Sequence, residues 1–300
     1  MKNFNIYEMV NDSIVKRLEA GVVPWHMPWK TASNFPKNLV SKKAYRGFNF
    51  WYLLSFGFES PWFLTFNQAK QLGGYVRKGA NAYRVIFWKR LENKEDPSRI
   101  VSCLRYYNVF HIGDVQNIDP KKIPQSYDRD FNPIDSCDRL VEEWADCPAI
   151  SHNAEYAAYV PSLDIVKIPS ARTFFKDEHF YSILFHELVH STGHRSRLDR
   201  HSKFRNLKFG SNDYSKEELV AEMGAAYLCA MTGIENETID NSAAYIDGWL
   251  NNLKKDNRFF LQAASYAQLA VDYIIGNPTH NTSETVVDME NINSTSKLLI

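Results

Sequence analysis

Apolar residues in the first part of the chain recur at spacings that predict two helices and a pair of strands. Residues 4–20 repeat apolar positions at helical spacing and end at a glycine, so they predict a helix. Residues 47–58 are rich in aromatic side chains and are expected to be helical or extended against a core. Residues 65–72 predict a short helix closed by two glycines, and residues 83–88 and 101–110 predict two strands.

The second part of the chain predicts a mostly helical unit. Residues 119–135 are rich in Asp, Pro, Lys and Asn, which indicates a linker. Longer periodic segments predict helices near 135–146 and at 177–192, 215–232, 240–254 and 256–275. Two short strands are expected at 157–160 and 165–168. The fold class is therefore α+β, with the following division: a small α+β domain at 1–118, the linker at 119–135, a mostly helical domain at 136–276 and a polar tail at 277–300.

The composition is that of an ordinary globular protein, with 44% apolar and 23% charged residues. No stretch reaches the ~18 uninterrupted apolar residues of a membrane span. The N-terminus lacks the apolar stretch and cleavage site of a signal peptide. The four cysteines form no CxxC pair, so reduced thiols are expected. Together these features favour a cytoplasmic protein with no membrane partner.

The sequence His186-Glu187-Leu188-Val189-His190 predicts a metal site. On a helix, two histidines four residues apart lie one turn above each other on the same face. Both imidazoles can then bind one Zn²⁺, and Glu187 can take the proton of a water that the metal activates for attack on a carbonyl. We therefore predict a zinc-peptidase type of site, with Glu187 as the catalytic residue.

The third ligand is expected on the helix that begins near residue 215. Glu218 and Glu222 lie four residues apart and share a face, so one can bind the metal while the other holds a ligand histidine through its second nitrogen. Glu218 is favoured as the ligand, with Glu222 as the alternative. Glu217 is expected to be a solvated helix acid. His194 is left open as another ligand, an oxyanion stabiliser or a loop histidine.

The front of the chain interleaves cations with aromatic residues. Residues 1–118 hold 17 Lys and Arg against 8 Asp and Glu, whereas residues 119–300 hold 18 against 27. Cations that follow a phosphate backbone, together with rings for base stacking, are typical of surfaces that bind single-stranded nucleic acid. The candidate DNA-binding residues are Trp25, Trp29, Lys43, Arg46, Arg77, Lys78 and Arg84.

Several motifs resemble those of the ArdC-type antirestriction proteins of plasmids and other mobile elements. In the front half they are Leu18-Glu19-Ala20-Gly21-Val22-Val23-Pro24-Trp25, Tyr45-Arg46-Gly47-Phe48-Asn49, Leu64-Thr65-Phe66-Asn67-Gln68-Ala69 and Val76-Arg77-Lys78-Gly79. In the back half they are the HELVH helix with Ser191-Thr192-Gly193-His194, then Arg197-Leu198-Asp199-Arg200, and Glu217-Glu218-Leu219-Val220-Ala221-Glu222. The resemblance extends over about residues 5–275.

The resemblance implies a single-stranded-DNA-binding domain followed by a zincin-like (gluzincin) metallopeptidase domain. It further implies protection of incoming mobile-element DNA from host restriction, with Zn²⁺ as the metal and another divalent ion such as Mn²⁺ as the alternative. Two other interpretations stay open. One is a peptidase that acts on a restriction-system or other host protein presented by the front half. The other is a DNA-binding protein whose metal site is structural.

Overall fold

The chain forms eight helices and nine strands within the residues described by this computed structural model, which are 5–21, 23, 25, 35–92, 100–124, 133–204, 211–234 and 243–276. The helices are α1 (Ile6–Glu19), α2 (Phe48–Leu54), α3 (Phe66–Gln71), α4 (Pro133–Glu143), α5 (Asp177–Thr192), α6 (Asn212–Thr232), α7 (Ala243–Lys255) and α8 (Phe259–Ile274). The strands are β1 (Lys37–Asn38), β2 (Trp62–Leu64), β3 (Tyr75–Val76), β4 (Tyr83–Glu92), β5 (Ile100–His111), β6 (Val115–Gln116), β7 (Ala149–Ser151), β8 (Ala158–Val160) and β9 (Ile165–Lys167).

The front half is built on a four-stranded sheet in the order β1-β2-β5-β4. Strand β1 runs parallel to β2, and the other neighbours are antiparallel. Strands β4 and β5 pair over ten positions, from Tyr83 opposite Val109 to Glu92 opposite Ile100, and form a long two-stranded ribbon. Beside the sheet, α3 begins with a capping box in which Thr65 and Gln68 satisfy each other's backbone amides.

The back half places helix α5 against a small sheet in the order β7-β9-β8, and α6 packs on α5. Helix α6 begins at Ser211, whose hydroxyl accepts the amide of Tyr214, and ends at Gly233 in the left-handed conformation. Gly224 lets the two helices approach closely, because a Cβ at that position would lie 2.7 Å from a methyl carbon of Val189. This close approach brings the acids of α6 to the histidines of α5.

The largest core cluster includes residues from both halves of the chain. Trp25 is fully buried and packs against Trp249 of α7 and Phe260 of α8, with ring centroids 5.4 and 5.7 Å away. Helix α2 also contacts α8, and α1 contacts α7. The division of the chain at residues 119–135 stays a prediction, and this core crosses it.

Most predicted elements are present with shifts of a few residues at their ends. The aromatic segment at 47–58 is helical at α2, and β4 extends four residues beyond the predicted strand. Strands β1, β2, β3, β6 and β7 lie outside the predicted strands, and α4 begins inside the predicted linker. The tail at 277–300 lies outside the described residues. None of the helices in the described ranges is long and apolar enough to cross a membrane.

Candidate metal centre and nucleic-acid surface

Helix α5 brings His186 and His190 together on its buried face. Their Nε2 atoms lie 3.1 Å apart, one helical turn separating the two residues. Most side chains of α5 from Phe180 to its end are buried, and Leu188 and Val189 between the histidines are fully buried. The HELVH segment is therefore held rigidly, and its two histidine side chains converge on one point.

Glu218 of α6 completes a group of three ligand atoms. Its two carboxylate oxygens lie 3.6 Å from Nε2 of His186 and 3.6 Å from Nε2 of His190. Within the described residues, these three side chains are the group that could hold a metal ion, with all ligand atoms within 4.8 Å of one another. Two ligands bound about 2.0–2.2 Å from one tetrahedral metal lie roughly 3.3–3.6 Å apart. The observed spacings therefore fit a divalent metal.

The other ring nitrogen of each histidine faces a second glutamate. Nδ1 of His190 lies 3.1 Å from Oε1 of Glu217, and Nδ1 of His186 lies 3.6 Å from Oε1 of Glu222. A carboxylate at Nδ1 favours the proton there and leaves Nε2 free to bind a metal. Glu222 therefore lies behind His186, on the far side from the group of three ligand atoms.

The expectation that Glu217 is a solvated acid is wrong, because only 4% of it is exposed. The guanidinium of Arg200 donates two hydrogen bonds of 2.7 Å to the two carboxylate oxygens of Glu217. Arg200 is itself buried and also donates to Thr192 and to the carbonyl of Val189. This ion pair stabilises the buried carboxylate behind His190.

His201 lies at the same carboxylate, with Nε2 3.3 Å from Oε1 of Glu217. Its ring occupies the space beside Gly193, where a Cβ would come within 2.3 Å of Nε2. The sequence reasoning missed the roles of both Arg200 and His201. The Arg197-Leu198-Asp199-Arg200 motif is a signal for Arg200 alone, and it does not by itself indicate a contact with Glu217.

Opposite charges within the site raise the pKa of His186 and lower the pKa values of Glu217 and Glu218. In each case they outweigh the opposite effect of burial. Burial lowers the pKa of His186, but a hydrogen bond to Glu218 and the charges of Glu222 and Glu187 outweigh it and raise the pKa to about 9. Burial raises the pKa of Glu218, but His190 and His186 outweigh it and lower the pKa to about 2. For Glu217, Arg200 likewise overcomes burial and holds the pKa well below its usual range. The site thus contains ionised carboxylates, which attract a cation.

The carboxylate of Glu187 contacts strand β8. Its Oε2 accepts the backbone N–H of Tyr159 at 2.6 Å. The hydroxyl of Tyr159 donates to Asp164 at 2.8 Å, and Arg197 holds both oxygens of Asp164 at 2.7 and 3.1 Å. The position of Glu187 therefore depends on strand β8 and on the ion pair that anchors this strand.

His194 lies outside the group of ligand atoms found in the described part of the chain, so this group does not support the alternative in which His194 is a ligand. Helix α5 ends at Thr192, and the chain then turns away from the ligand histidines. As a result, Nδ1 of His194 lies 2.7 Å from the hydroxyl of Ser196 and 3.9 Å from Oδ2 of Asp164. Tyr214, near the start of α6, forms a side-chain hydrogen bond with the candidate ligand Glu218.

Comparison with known proteins places this geometry in a family. Residues 4–110 match the N-terminal domain of anti-restriction factor ArdC, and residues 138–266 match a zincin-like metallopeptidase domain. The metal-free crystal structure of the antirestriction ArdC protein from the R388 plasmid is 32% identical in sequence. It superposes with a TM-score of 0.74 and covers 91% of this chain and 98% of that chain. This chain belongs to the ArdC family of antirestriction proteins.

The chain is also similar to a second structure of the R388 ArdC protein and to two relatives in sequence. The Mn(II)-bound structure of the same R388 ArdC protein is 33% identical, with a TM-score of 0.74 and the same coverage. The uncharacterized protein y4eC of Sinorhizobium fredii is 32% identical over 292 residues, which are 90% of this chain and 91% of y4eC. A DNA primase TraC of Escherichia coli is 28% identical over 290 residues, but the match spans only 27% of TraC.

The ArdC relationship confirms the predicted fold class. An N-terminal part that contains the larger sheet precedes a helical, zincin-like C-terminal part. A zincin-like domain implies a divalent metal, and the R388 ArdC protein has been crystallised with Mn(II).

The predicted DNA-binding residues of this ArdC chain fall into different environments. The structure contradicts the prediction that Trp25 contacts DNA. Its ring is fully buried between helices and offers no face to a base. Trp29 lies outside the described residues. Arg46 is half-exposed and pairs with Asp272 of α8. Arg77 pairs with Asp114 at 2.6 Å and stays mostly exposed.

The remaining predicted cations lie on the surface of the front half. Lys43, Lys78 and Arg84 are all exposed. Arg84 lines a half-open cavity of about 410 Å³ together with Lys16 and Tyr52, between α1, α2 and strand β4. All three cations are therefore exposed, and Arg84 is the one of the three that lines this cavity.

Proposed function

We propose that this chain binds single-stranded DNA through its N-terminal part and protects mobile-element DNA from host restriction with the help of a hydrolytic divalent-metal site. The observation that carries the proposal is the convergence of His186, His190 and Glu218 within the spacing of a tetrahedral ligand set. Membership of the ArdC family supports the antirestriction role.

A divalent metal would be held by Nε2 of His186, Nε2 of His190 and the carboxylate of Glu218. Glu217 and Glu222 orient the two imidazoles through their Nδ1 atoms, which lie 3.1 and 3.6 Å from the carboxylate oxygens. A bound divalent metal supplies the Lewis acidity that polarises a carbonyl and acidifies water. Zn²⁺ suits two imidazoles and a carboxylate, and Mn²⁺ is the alternative.

Glu187 is the general base of the proposed hydrolysis. It follows His186 directly on α5, and its charge acts on the His186 imidazole. The N–H of Tyr159 binds Oε2, which leaves Oε1 to accept the proton of the attacking water. The substrate is a peptide bond of a host protein, because the HExxH helix and its third glutamate are typical of metallopeptidases.

The experiment that tests the proposal compares the wild type with Glu187→Gln. Glutamine keeps the size of the side chain and an oxygen that accepts the Tyr159 amide, but it cannot take a proton. Glu143→Gln is the matched control, since it makes the same change at an exposed position of α4. Each protein is assayed for binding of a labelled oligonucleotide and for protection of transferred DNA in a restricting host.

We expect Glu187→Gln to bind the oligonucleotide as the wild type does and to lose protection, whereas Glu143→Gln keeps both. Full protection by Glu187→Gln would overturn the hydrolytic part of the proposal and leave a DNA-binding protein with a structural metal. No oligonucleotide binding by the wild type would overturn the DNA-binding part. Retained protection in that case would favour a peptidase that does not act through DNA.

A further inference from the structure

The ribbon of strands β4 and β5 carries aromatic and cationic side chains on both faces. Directly opposed residues of an antiparallel pair share a face, and successive pairs alternate between faces. Val85 opposes Tyr107, and Phe87 opposes Arg105, so these four residues share one face. The pairs Arg84–Asn108 and Ile86–Tyr106 share the other face.

The first face changes from buried to exposed along the ribbon. At its inner end Tyr83 and Val85 are buried in a cluster with Leu53 and Phe63. Further out, the rings of Phe87 and Tyr107 stack diagonally across the ribbon, with centroids 4.4 Å apart and planes 12° apart. Tyr107 is nonetheless 46% exposed. The ribbon therefore presents a rigid pair of rings to solvent instead of a covered core.

Cations accompany these rings. Arg105 is exposed and lies directly opposite Phe87. On the other face, Tyr106 is 41% exposed and lies opposite Ile86. Arg84, also exposed, lies two positions before Ile86 on the same strand. Exposed aromatic rings with cations one or two positions away are suited to a ligand that has both flat apolar groups and regularly spaced negative charges.

We propose that the outer part of this ribbon is a base-stacking platform for single-stranded nucleic acid, with Tyr107 and Phe87 contacting bases and Arg105 contacting the phosphate backbone. Duplex DNA fits this surface poorly, because its bases are stacked on each other and offer no free ring faces. The inference rests on the proposed DNA binding and assigns it to residues outside the set of candidate DNA-binding residues.

The test measures the binding of a fluorescent single-stranded oligonucleotide by anisotropy for Tyr107→Leu, Tyr107→Phe and the wild type. Leucine keeps apolar bulk but removes the ring, whereas phenylalanine keeps the ring. We expect Tyr107→Leu to weaken binding by roughly 5- to 150-fold and Tyr107→Phe to bind within about twofold of the wild type. Tyr156→Leu is the control, because Tyr156 is 65% exposed in the back half.

Two further measurements separate stacking from charge. An oligonucleotide with abasic sites should bind the wild type more weakly and should bind Tyr107→Leu and the wild type equally, because it has no bases to stack. Arg105→Gln should reduce the slope of log affinity against log salt by about 0.7, the contribution of one single-strand phosphate contact. Thermal unfolding of each variant shows whether the fold is retained.

The outcomes distinguish this inference from the proposed function. If the wild type binds the oligonucleotide and Tyr107→Leu binds it equally well, the ribbon is not the platform, but DNA binding stands. If Tyr107→Phe is as weak as Tyr107→Leu, the ring does not act by stacking, and the inference is overturned. If the wild type does not bind the oligonucleotide, the proposed DNA-binding function itself fails.

Discussion

Oε1 of Glu217 lies 3.1 Å from Nδ1 of His190, so the acid directly before the third ligand candidate holds the second histidine of the HELVH helix. Glu217 and Glu218 are adjacent on α6, yet they face different atoms of the same imidazole. Glu218 faces Nε2 at 3.6 Å, and Glu217 faces Nδ1. One turn of α6 thus supplies both a ligand candidate and the group that orients another ligand.

Glu217→Gln should weaken metal binding by about 10- to 100-fold, because the amide no longer fixes the imidazole through a charged hydrogen bond. The change also leaves Arg200 buried without its counter-charge, which should lower the free energy of unfolding by about 3–5 kcal/mol. Competition with a chromophoric chelator gives the metal affinity, and urea unfolding gives the stability. Glu143→Gln serves as the control, and an affinity within twofold of the wild type would contradict this role of Glu217.

Gly224→Ala should destabilise the protein by about 1–3 kcal/mol, although alanine favours helix by about 1 kcal/mol. The new Cβ would lie 2.7 Å from a methyl carbon of Val189 and would push α5 and α6 apart. Gly248→Ala in α7 is the matched control. A Cβ there meets nothing within 4 Å, so this variant should be slightly stabilised.

The double variant Gly224→Ala with Val189→Ala should recover part of the loss in stability, because it removes the methyl groups that clash. Metal affinity should also decrease from the wild type to the double variant to Gly224→Ala, since the separation of α5 and α6 sets the distance from Glu218 to the histidines. Urea midpoints and chelator competition on the same samples test both points. Equal midpoints for Gly224→Ala and Gly248→Ala would contradict the close approach of the two helices.

Trp25→Ala should act on stability and not on a DNA-contacting surface. Its indole is fully buried against Trp249 and Phe260, so its removal should cost about 3–5 kcal/mol in the free energy of unfolding. Trp25→Phe keeps a ring in the core and should bind the oligonucleotide as the wild type does. Selective loss of binding in a folded Trp25→Phe variant would show that the ring contacts DNA after all.

The stability contributed by Asp164 should decrease in acid. The hydrogen bonds from Arg197 lower the pKa of Asp164 below its usual value. Because the folded pKa is below the unfolded one, the ionised form stabilises the fold above about pH 4 and loses this effect as the pH falls through the lowered folded pKa. The difference in urea midpoint between the wild type and Asp164→Asn should therefore shrink from pH 6 to pH 3.

Asparagine is a suitable replacement because residue 164 has a positive φ of 51°, which Asn tolerates well. Glu143→Gln, which changes an exposed acid of α4, is the control and is measured at the same pH values. A difference between the wild type and Asp164→Asn that stays constant down to pH 3 would mean that the ion pair with Arg197 does not contribute through its charge.

Local patterns predicted the elements and the centre of the site. The four-residue spacing of His186 and His190 needs only a helix to place both rings on one face, and the apolar residues between them ensure that helix. Likewise, the glycines at 21 and 73 marked the ends of α1 and α3 to within two residues. The α+β class and the candidate ligand Glu218 also followed from these patterns and from the family resemblance.

Only the tertiary structure decided which side chains face one another across elements. Periodicity places Glu217 on a helix but does not show that Arg200, from a separate segment, is buried beside it. For the same reason, the sequence could not show that Trp25 packs against helices more than 200 residues later, or that Phe87 and Tyr107 stack across a ribbon. Contacts between distant segments depend on how helices and strands pack in three dimensions, whereas the spacing of residues along one element follows from the chain alone.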